Sequence, residues 1–318
     1  MKILPWLDIF KRTSRAVIFL FIFAFLNLSF NLKMGHLIDV KTIGFENQAG
    51  LRGSLPSSIG SMISLKSISI LFAGSGFGGE IPASLFSLPN LEYVSFFFNE
   101  GIWQFSDAPE SDDIIAPITS LTVRSCGLTG TLPDYISKLQ RLKELGLDKN
   151  SLQGSIPEAY GNLASLEYLN MYDNQLTGTL PEALGNLTNA TAIVLGRNKF
   201  HGGPPSITLG KLENLRLLDL SYNELEGSIP TSFSRLVGLE HISLQHNKLS
   251  GSIAVFAHLE HLSSLIVSSN QFSGSIPMGL FSNSTVDIFA DFSRNGFVGE
   301  LPQDFAQIAT NISEYTRF

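Results

Sequence analysis

The sequence contains a short motif that returns at a nearly constant interval. Glycine, any residue, isoleucine or leucine, and proline occur together in eight copies. These are Gly53–Pro56, Gly79–Pro82, Gly130–Pro133, Gly154–Pro157, Gly178–Pro181, Gly227–Pro230, Gly274–Pro277 and Gly299–Pro302. Two variants, Gly202–Pro205 and Gly251–Ala254, fill the gaps, so that consecutive motifs from Pro133 onward lie 23 to 25 residues apart. Such a period predicts a repeat array in which each unit packs against its neighbours.

An alternating apolar stretch and an asparagine precede most of these motifs. Leu145-Gly-Leu147 and Leu218-Asp-Leu220 are examples of the stretch, and Asn150 and Asn223 follow them, seven residues before a proline. Alternation with a period of two is typical of a half-buried strand. The complete unit reads L-x-x-L-x-L-x-x-N-x-L-x-G-x-I-P.

This unit resembles the leucine-rich repeat, and its G-x-I-P segment resembles the plant-type subclass found in receptor-like proteins and receptor-kinase ectodomains. The resemblance covers about residues 37–318. It implies an α/β repeat solenoid, a curved right-handed array of about ten coils over residues 34–318. A parallel β-sheet would line the concave side, and short 3₁₀ or extended segments the convex side. The spacing is irregular at 71–76 and at 100–117, where an acidic run begins at Asp107.

The asparagine position predicts a structural ladder inside the coils. An asparagine side chain can both donate to and accept from backbone groups, which would cost about 1–3 kcal/mol each if they were buried unpaired. The residues at this position are Asn99, Cys126, Asn150, Asn174, Asn198, Asn223, Asn247, Asn270 and Asn295. Cys126 is the only cysteine. A buried structural thiol is therefore expected there, and a disulfide scaffold is excluded.

The first 33 residues differ from the repeats. A basic segment, 1–15, precedes an uncharged apolar run from Ala16 to Leu32 that ends at Lys33. Such a segment at 16–33 predicts either a cleaved signal peptide or a signal-anchor that attaches the chain to a membrane. The repeats would then be extracellular, either anchored or secreted. Translation starting at Met34 would instead give a cytosolic protein.

Four glycosylation sequons support passage through the secretory pathway. Their asparagines are Asn186, Asn189, Asn283 and Asn311.

Residues between the inward-facing leucines are expected to point outward from the concave sheet, because side chains alternate along a strand. The expected binding residues are Tyr93, Ser95, Phe97, Arg124, Glu144, Asp148, Tyr168, Asn170, Tyr172, Asp173, Arg197, Asp219, Tyr222, His241 and Gln245. Tyrosines among small polar groups are typical of recognition surfaces. A peptide, a glycan or a protein is the expected ligand, with a membrane co-receptor as a further partner. A net charge of −7 argues against nucleic acid.

Catalytic motifs are missing from the sequence, which contains no G-x-S-x-G, P-loop or H-E-x-x-H pattern. His258 and His261 form H-x-x-H without an evident third ligand, so neither a metal nor a cofactor is expected. The interpretation is a non-catalytic recognition protein in receptor-type signalling. The alternatives are a secreted inhibitor of a cell-wall-degrading hydrolase and an intracellular scaffold. The paired-cysteine caps common in the family are absent, which counts against the inhibitor.

Overall fold

A computed structural model of the chain describes residues 17–18, 39–47, 50–108, 114–281 and 288–302. Two compact units, Met1–Thr129 and Gly130–Phe318, are described separately below. Within the described ranges the regular elements are β-strands and 3₁₀ helices, and no α-helix occurs. Most of the predicted signal or anchor segment, and the sequons at Asn283 and Asn311, lie outside these ranges.

The leucines of the repeat fill the inside of each coil. In the second unit Leu145, Leu147, Leu152 and Leu163 belong to one coil, and all four are fully buried. Each buried leucine contributes roughly 1.5–3 kcal/mol relative to an exposed one. A single coil has no second layer to cover these side chains, so the stability of each coil depends on the coils beside it.

The alternating stretches form a parallel sheet in each unit, called sheet 1. In the first unit its strands are β1 (Val17–Ile18), β2 (Thr42–Glu46), β3 (Ser67–Leu71), β5 (Tyr93–Phe97) and β7 (Ser120–Arg124), paired in that order. In the second unit they are β9 (Glu144–Gly146), β11 (Tyr168–Asn170), β13 (Ala192–Val194), β15 (Leu217–Asp219), β17 (His241–Ser243), β19 (Ser264–Ile266) and β21 (Phe289–Asp291). The alternating pattern predicted strands of this sheet such as β5, β9 and β15, whereas β1 lies in the segment expected to be a signal peptide or anchor.

A second parallel sheet, sheet 2, forms from the segment between the ladder residue and the proline. Its strands in the first unit are β4 (Gly79–Ile81), β6 (Trp103–Phe105) and β8 (Leu128–Thr131), the last of which crosses the unit boundary. In the second unit they are β10 (Ser151–Gly154), β12 (Gln175–Gly178), β14 (Lys199–Gly202), β16 (Glu224–Ser228), β18 (Lys248–Gly251), β20 (Gln271–Gly274) and β22 (Gly296–Phe297). The sequence predicted extended segments here but not that they pair into a sheet.

A short 3₁₀ helix follows most prolines of the repeat motif. Pro157, with φ −62° and ψ 137°, precedes one such helix in an extended conformation, which its ring favours. These helices are Ser57–Ser61 and Ala83–Ser87 in the first unit, and Asp134–Lys138, Glu158–Asn162, Glu182–Asn186, Ile207–Lys211, Thr231–Arg235 and Ala254–Phe256 in the second.

The 3₁₀ helices of neighbouring coils approach each other closely at glycines. A Cβ atom built on Gly161 would lie 2.4 Å from the carbonyl oxygen of Ala183, and one on Gly185 would lie 2.4 Å from that of Thr208. Only a residue without a side chain permits this approach. These glycines therefore set how tightly the coils stack on the side opposite sheet 1.

The ladder asparagines join adjacent coils through their side-chain amides. Oδ1 of Asn174 accepts a hydrogen bond from Leu152 N at 3.0 Å, and its Nδ2 donates to Leu147 O at 2.9 Å and to Met171 O at 3.1 Å. Leu152 and Leu147 belong to the preceding coil, so one side chain pairs buried backbone groups of two coils. The same pattern repeats at Asn198, Asn223, Asn247, Asn270 and Asn295.

In the first unit the ladder position is occupied by Asn99 and Cys126. Asn99 accepts from Ala73 N at 2.9 Å and donates to Ile70 O at 3.0 Å. The Cys126 thiol lies 3.2 Å from Phe96 O and 3.0 Å from Arg124 O, and it is fully buried. Burial raises the pKa of this thiol, which keeps it protonated as a hydrogen-bond donor.

Replacing Asn174 with alanine tests the ladder. Two buried backbone groups of the preceding coil, Leu152 N and Leu147 O, would lose their partner, so we expect the free energy of unfolding to fall by about 2–4 kcal/mol. Urea denaturation at 25 °C measures this change. Gln175→Ala, at the next residue, is the control and should change it by less than about 0.5 kcal/mol. Equal losses from the two variants would contradict the assigned role.

Replacing Gly185 with alanine tests the close stacking of the 3₁₀ helices. The added Cβ would collide with the backbone of Thr208, and overpacking of this kind costs about 1–3 kcal/mol. Gly203→Ala is a matched control, because a Cβ there meets no atom within 4 Å. Thermal unfolding should show a lower Tm for Gly185→Ala alone. An unchanged Tm would mean that the coils can separate at this point without cost.

Candidate ligand-binding face

The outer face of sheet 1 in the second unit presents side chains in rows, with one residue from each coil. The parallel register aligns two rows within the strands. The first row is Glu144, Tyr168, Ala192, Leu217, His241, Ser264 and Phe289. The second is Gly146, Asn170, Val194, Asp219, Ser243, Ile266 and Asp291. Adjacent strands of a sheet lie about 4.8 Å apart, so each row is a regularly spaced line.

Two further rows lie just beyond the strands, where backbone hydrogen bonds such as Lys149 N to Tyr172 O continue between coils. The third row is Asp148, Tyr172, Gly196, Ser221, Gln245, Ser268 and Ser293. The fourth is Lys149, Asp173, Arg197, Tyr222, His246, Ser269 and Arg294. Every residue of the fourth row has a positive φ, between 51° and 58°. This left-handed position turns the chain immediately before the ladder asparagine.

Two of the expected binding residues are buried. Asp148 is 3% exposed and Asn170 is 6% exposed. Nδ2 of Asn170 donates to Asp148 Oδ1 at 3.2 Å and to the Tyr168 hydroxyl at 3.1 Å, while its Oδ1 accepts from Tyr172 N at 3.0 Å. The expectation that both side chains are presented to a ligand is therefore corrected. They form a buried hydrogen-bonded pair that orients Tyr168 and the backbone of Tyr172.

Gly196 is buried on this face, where two polar side chains of the next coil cover it. A Cβ atom built on Gly196 would lie 2.8 Å from Asp219 Oδ1 and 2.8 Å from Ser221 Oγ, so only glycine leaves room for these two groups. Asp219 Oδ1 accepts from Ser221 N at 2.9 Å, which fixes the carboxylate in place. Asp219 is half-buried, and its second carboxylate oxygen is directed to no partner in the described ranges.

Aromatic rings and an arginine stack along the third and fourth rows. The guanidinium carbon of Arg197 lies 4.8 Å from the ring centroid of Tyr222 and 5.9 Å from that of Tyr172. On the other side of Tyr222, the His246 ring stacks at a centroid distance of 4.3 Å with an interplanar angle of 17°. Four residues from four successive coils therefore form one continuous stack. Cation–π contacts at exposed sites contribute about 0.5–1 kcal/mol each, which is enough to order the arginine.

Gln245, in the third row, carries an acceptor without a partner. Its Oε1 is buried, and none of the described residues donates to it. A buried polar atom left unpaired costs about 1–3 kcal/mol, which a ligand donor or a water molecule would recover. His241, in the first row, is exposed. The face therefore offers both acceptors and the donors of Arg197.

In the first unit the corresponding face is more aromatic. Tyr93 is 50% exposed on β5, with Ser95 and Phe97 half-exposed on the same strand. Arg124 lies over the Phe97 ring at 5.9 Å from the centroid. The left-handed positions hold Phe72 and Phe98, whose rings stack at 5.2 Å. Sequence reasoning missed Phe72, because the irregular spacing at 71–76 hid its place in the repeat.

The next two observations concern metal binding and membrane crossing. No cluster of three or more histidine, cysteine, aspartate or glutamate side chains suited to a metal ion occurs among the described residues. Within those ranges no helix has the length and apolar character needed to cross a bilayer.

Comparison with known proteins agrees with this architecture. A family profile described as leucine rich repeat matches residues 117–176 and 188–249. Among solved structures, a TDR receptor is similar at a TM-score of 0.72 and 25% identity, over 86% of this chain and 50% of that one. The PEPR1–AtPEP1 structure is similar at a TM-score of 0.56 and 27% identity, over 88% of this chain and 45% of that one. The Arabidopsis receptor kinase HAESA ectodomain, solved with an IDA peptide hormone ligand, is similar at a TM-score of 0.58 and 22% identity, over 90% of this chain and 55% of that one. Comparison with curated proteins found no match.

The chain therefore folds as a leucine-rich-repeat solenoid, and the solved structures to which it is similar include receptor ectodomains. It spans about half the length of the receptor structures it matches. Leucine-rich repeats of this kind are non-catalytic binding modules, as the sequence predicted.

Proposed function

We propose that this chain is an extracellular recognition module that binds an extended peptide on the outer face of sheet 1 in the second unit. The observation that carries this proposal is the set of four rows, each with one side chain from every coil at a constant spacing. A peptide lying across the coils meets a new side chain of each row about every 4.8 Å. Folded proteins with an irregular surface do not match such spacing as readily.

The chemistry of the face suits a peptide backbone. Asp219 is half-buried on this face, and the carboxylate oxygen that no described residue contacts is an acceptor for a backbone N–H group. The stacked rings of Tyr172 and Tyr222 supply apolar contact area at little cost in side-chain entropy. The peptide hormone bound by the HAESA ectodomain supports the same ligand class. A glycan would use the stacked rings but not the regular acceptor positions.

A pair of variants on the two sheets tests where the ligand binds. Dodecapeptides selected by phage display on the purified full chain serve as the probe, and their Kd values are measured by fluorescence anisotropy. Ser243→Arg places a bulky charged side chain in the second row of sheet 1. It should weaken binding at least about tenfold, because it blocks contact with several coils at once.

Ser273→Arg is the matched control for this experiment. It makes the same chemical change at an exposed position of β20 in sheet 2 and should leave the Kd values unchanged. Circular dichroism and Tm confirm that both variants fold. Binding lost with Ser273→Arg but kept with Ser243→Arg would exclude sheet 1 as the recognition face.

The extracellular location is proposed from the sequons that the structure describes. Asn186 is exposed at the end of the 3₁₀ helix Glu182–Asn186, and no described residue bonds its side-chain amide. Asn189 is also exposed, but its Nδ2 donates to Ala164 O at 2.8 Å and thus joins two coils. A glycan on Asn186 leaves that inter-coil bond intact. We therefore propose Asn186 as the main site.

Expression in eukaryotic cells tests the location. The full chain should be recovered from the membrane fraction or the medium, and its mass should fall after N-glycan removal. Asn186→Gln should remove most of the mass shift that the sequons at Asn186 and Asn189 contribute. Asn189→Gln, the matched control, should retain that contribution. An unshifted protein in the cytosol would refute the extracellular proposal and favour a scaffold that begins near Met34.

A further inference from the structure

Arg197 is not among the cations that the structure places beside a carboxylate. Lys66, Lys143, Arg216 and Lys248 each pair with a glutamate on an adjacent coil. The guanidinium of Arg197 has no carboxylate oxygen within 4 Å among the described residues and lies instead between two tyrosine rings. Its positive charge is exposed on the proposed binding face and is not neutralised there.

The two rings leave part of the guanidinium available. Its carbon lies 4.8 Å from the Tyr222 ring centroid and 5.9 Å from that of Tyr172, and Arg197 is exposed, so a ligand can reach its N–H groups. A guanidinium edge binds a carboxylate through two parallel hydrogen bonds, and arginine is more weakly hydrated than lysine. Because stacking already restricts the side chain, less conformational entropy is lost when a ligand binds.

The surroundings of Arg197 favour a carboxylate that arrives on a peptide. Asp219 is half-buried on the same face, and its carboxylate would repel a free anion placed beside it. Backbone N–H groups of a peptide satisfy such an acceptor while one acidic side chain reaches the arginine. Asp173 precedes Arg197 by one coil in the fourth row and does not pair with it, so the site is not blocked from within.

We infer that Arg197, held between Tyr172 and Tyr222, binds the carboxylate of an aspartate or glutamate side chain in the peptide ligand. This inference rests on the proposed function and narrows its ligand class to peptides with an acidic residue.

A double-mutant cycle between protein and peptide tests the inference. Phage-selected dodecapeptides that bind the full chain are resynthesised with each Asp or Glu replaced by Asn or Gln. One such replacement should weaken binding to the wild-type chain about 10- to 100-fold, the range for a charge-assisted pair. Arg197→Gln should weaken binding of the acidic peptide equally and should no longer distinguish it from the amide version.

Arg294→Gln is the matched control. Arg294 occupies the same left-handed position in a later coil and is exposed, but no ring stacks on it in the described ranges. It should leave the preference for the acidic peptide unchanged. Arg197→Lys, which keeps the charge but not the planar fork, should recover less than half of the loss in binding free energy, and Tm confirms folding of each variant.

Several outcomes would overturn the inference. The preference for the acidic peptide could persist in Arg197→Gln, Arg294→Gln could abolish it equally, or the selected peptides could contain no acidic residue on which binding depends. Sodium sulfate that displaces acidic and amide peptides equally, at ionic strength matched with sodium chloride, would also overturn it in favour of a general anion site. In each case, if Ser243→Arg still weakens peptide binding, the proposed function stands without the inference. If Ser243→Arg does not weaken binding, the proposed function and the inference both fail.

Discussion

The side-chain amide of the ladder asparagine is the interaction on which the rest of the structure depends. At Asn174 it satisfies Leu152 N and Leu147 O of the preceding coil while holding Met171 O of its own. Leu147 O and Met171 O lie just after strands of sheet 1, and Leu152 N lies in β10 of sheet 2. Without the amide they would be buried and unpaired, a cost of about 1–3 kcal/mol for each group. The ladder therefore permits two parallel sheets to be built from one short coil.

The same ladder also places the candidate recognition residues. Arg197, Tyr222 and His246 each directly precede a ladder asparagine, and all three have positive φ. Their Cα positions therefore repeat with the period of the ladder. Rings and a guanidinium at that spacing can stack on one another, as the centroid distances of 4.3 and 4.8 Å show. A residue type that adopts the left-handed conformation at some cost is tolerated there, because the neighbouring hydrogen bonds maintain the turn.

The parts of the fold that repeat could be predicted, and the parts that depend on contacts between coils could not. Leu145 and Leu147 alternate, so β9 was expected, and the asparagines marked the ladder. Sheet 2 was not foreseen, because short strands that contain a left-handed glycine, such as Gly79 in β4, carry no strand pattern. β6 was not foreseen either, because Trp103–Phe105 lies in a coil without the glycine motif, although it pairs with Gly79–Ile81.

At the candidate site, too, contacts between coils could not be predicted from the sequence. Alternation placed Asp148 and Asn170 on the outer side of the coil, yet their hydrogen bond and the neighbouring side chains bury both. Burial on a sheet face is decided by the residues of the adjacent coils, which a single repeat does not contain. The stack through Arg197 likewise requires Tyr172, Tyr222 and His246 from three other coils.

The left-handed row separates the two units by chemistry. In the first unit it includes Phe72 and Phe98, exposed and stacked on each other, and in the second it includes Lys149, Asp173, Arg197 and Arg294. Stacked phenylalanines offer apolar area without donors, whereas a stacked arginine offers five N–H donors in a fixed plane. Contact area alone does not discriminate strongly between ligands, but a desolvated charge that finds no partner is costly. In the proposed binding mode, discrimination between ligands therefore depends more on the stacked arginine of the second unit than on the stacked phenylalanines of the first.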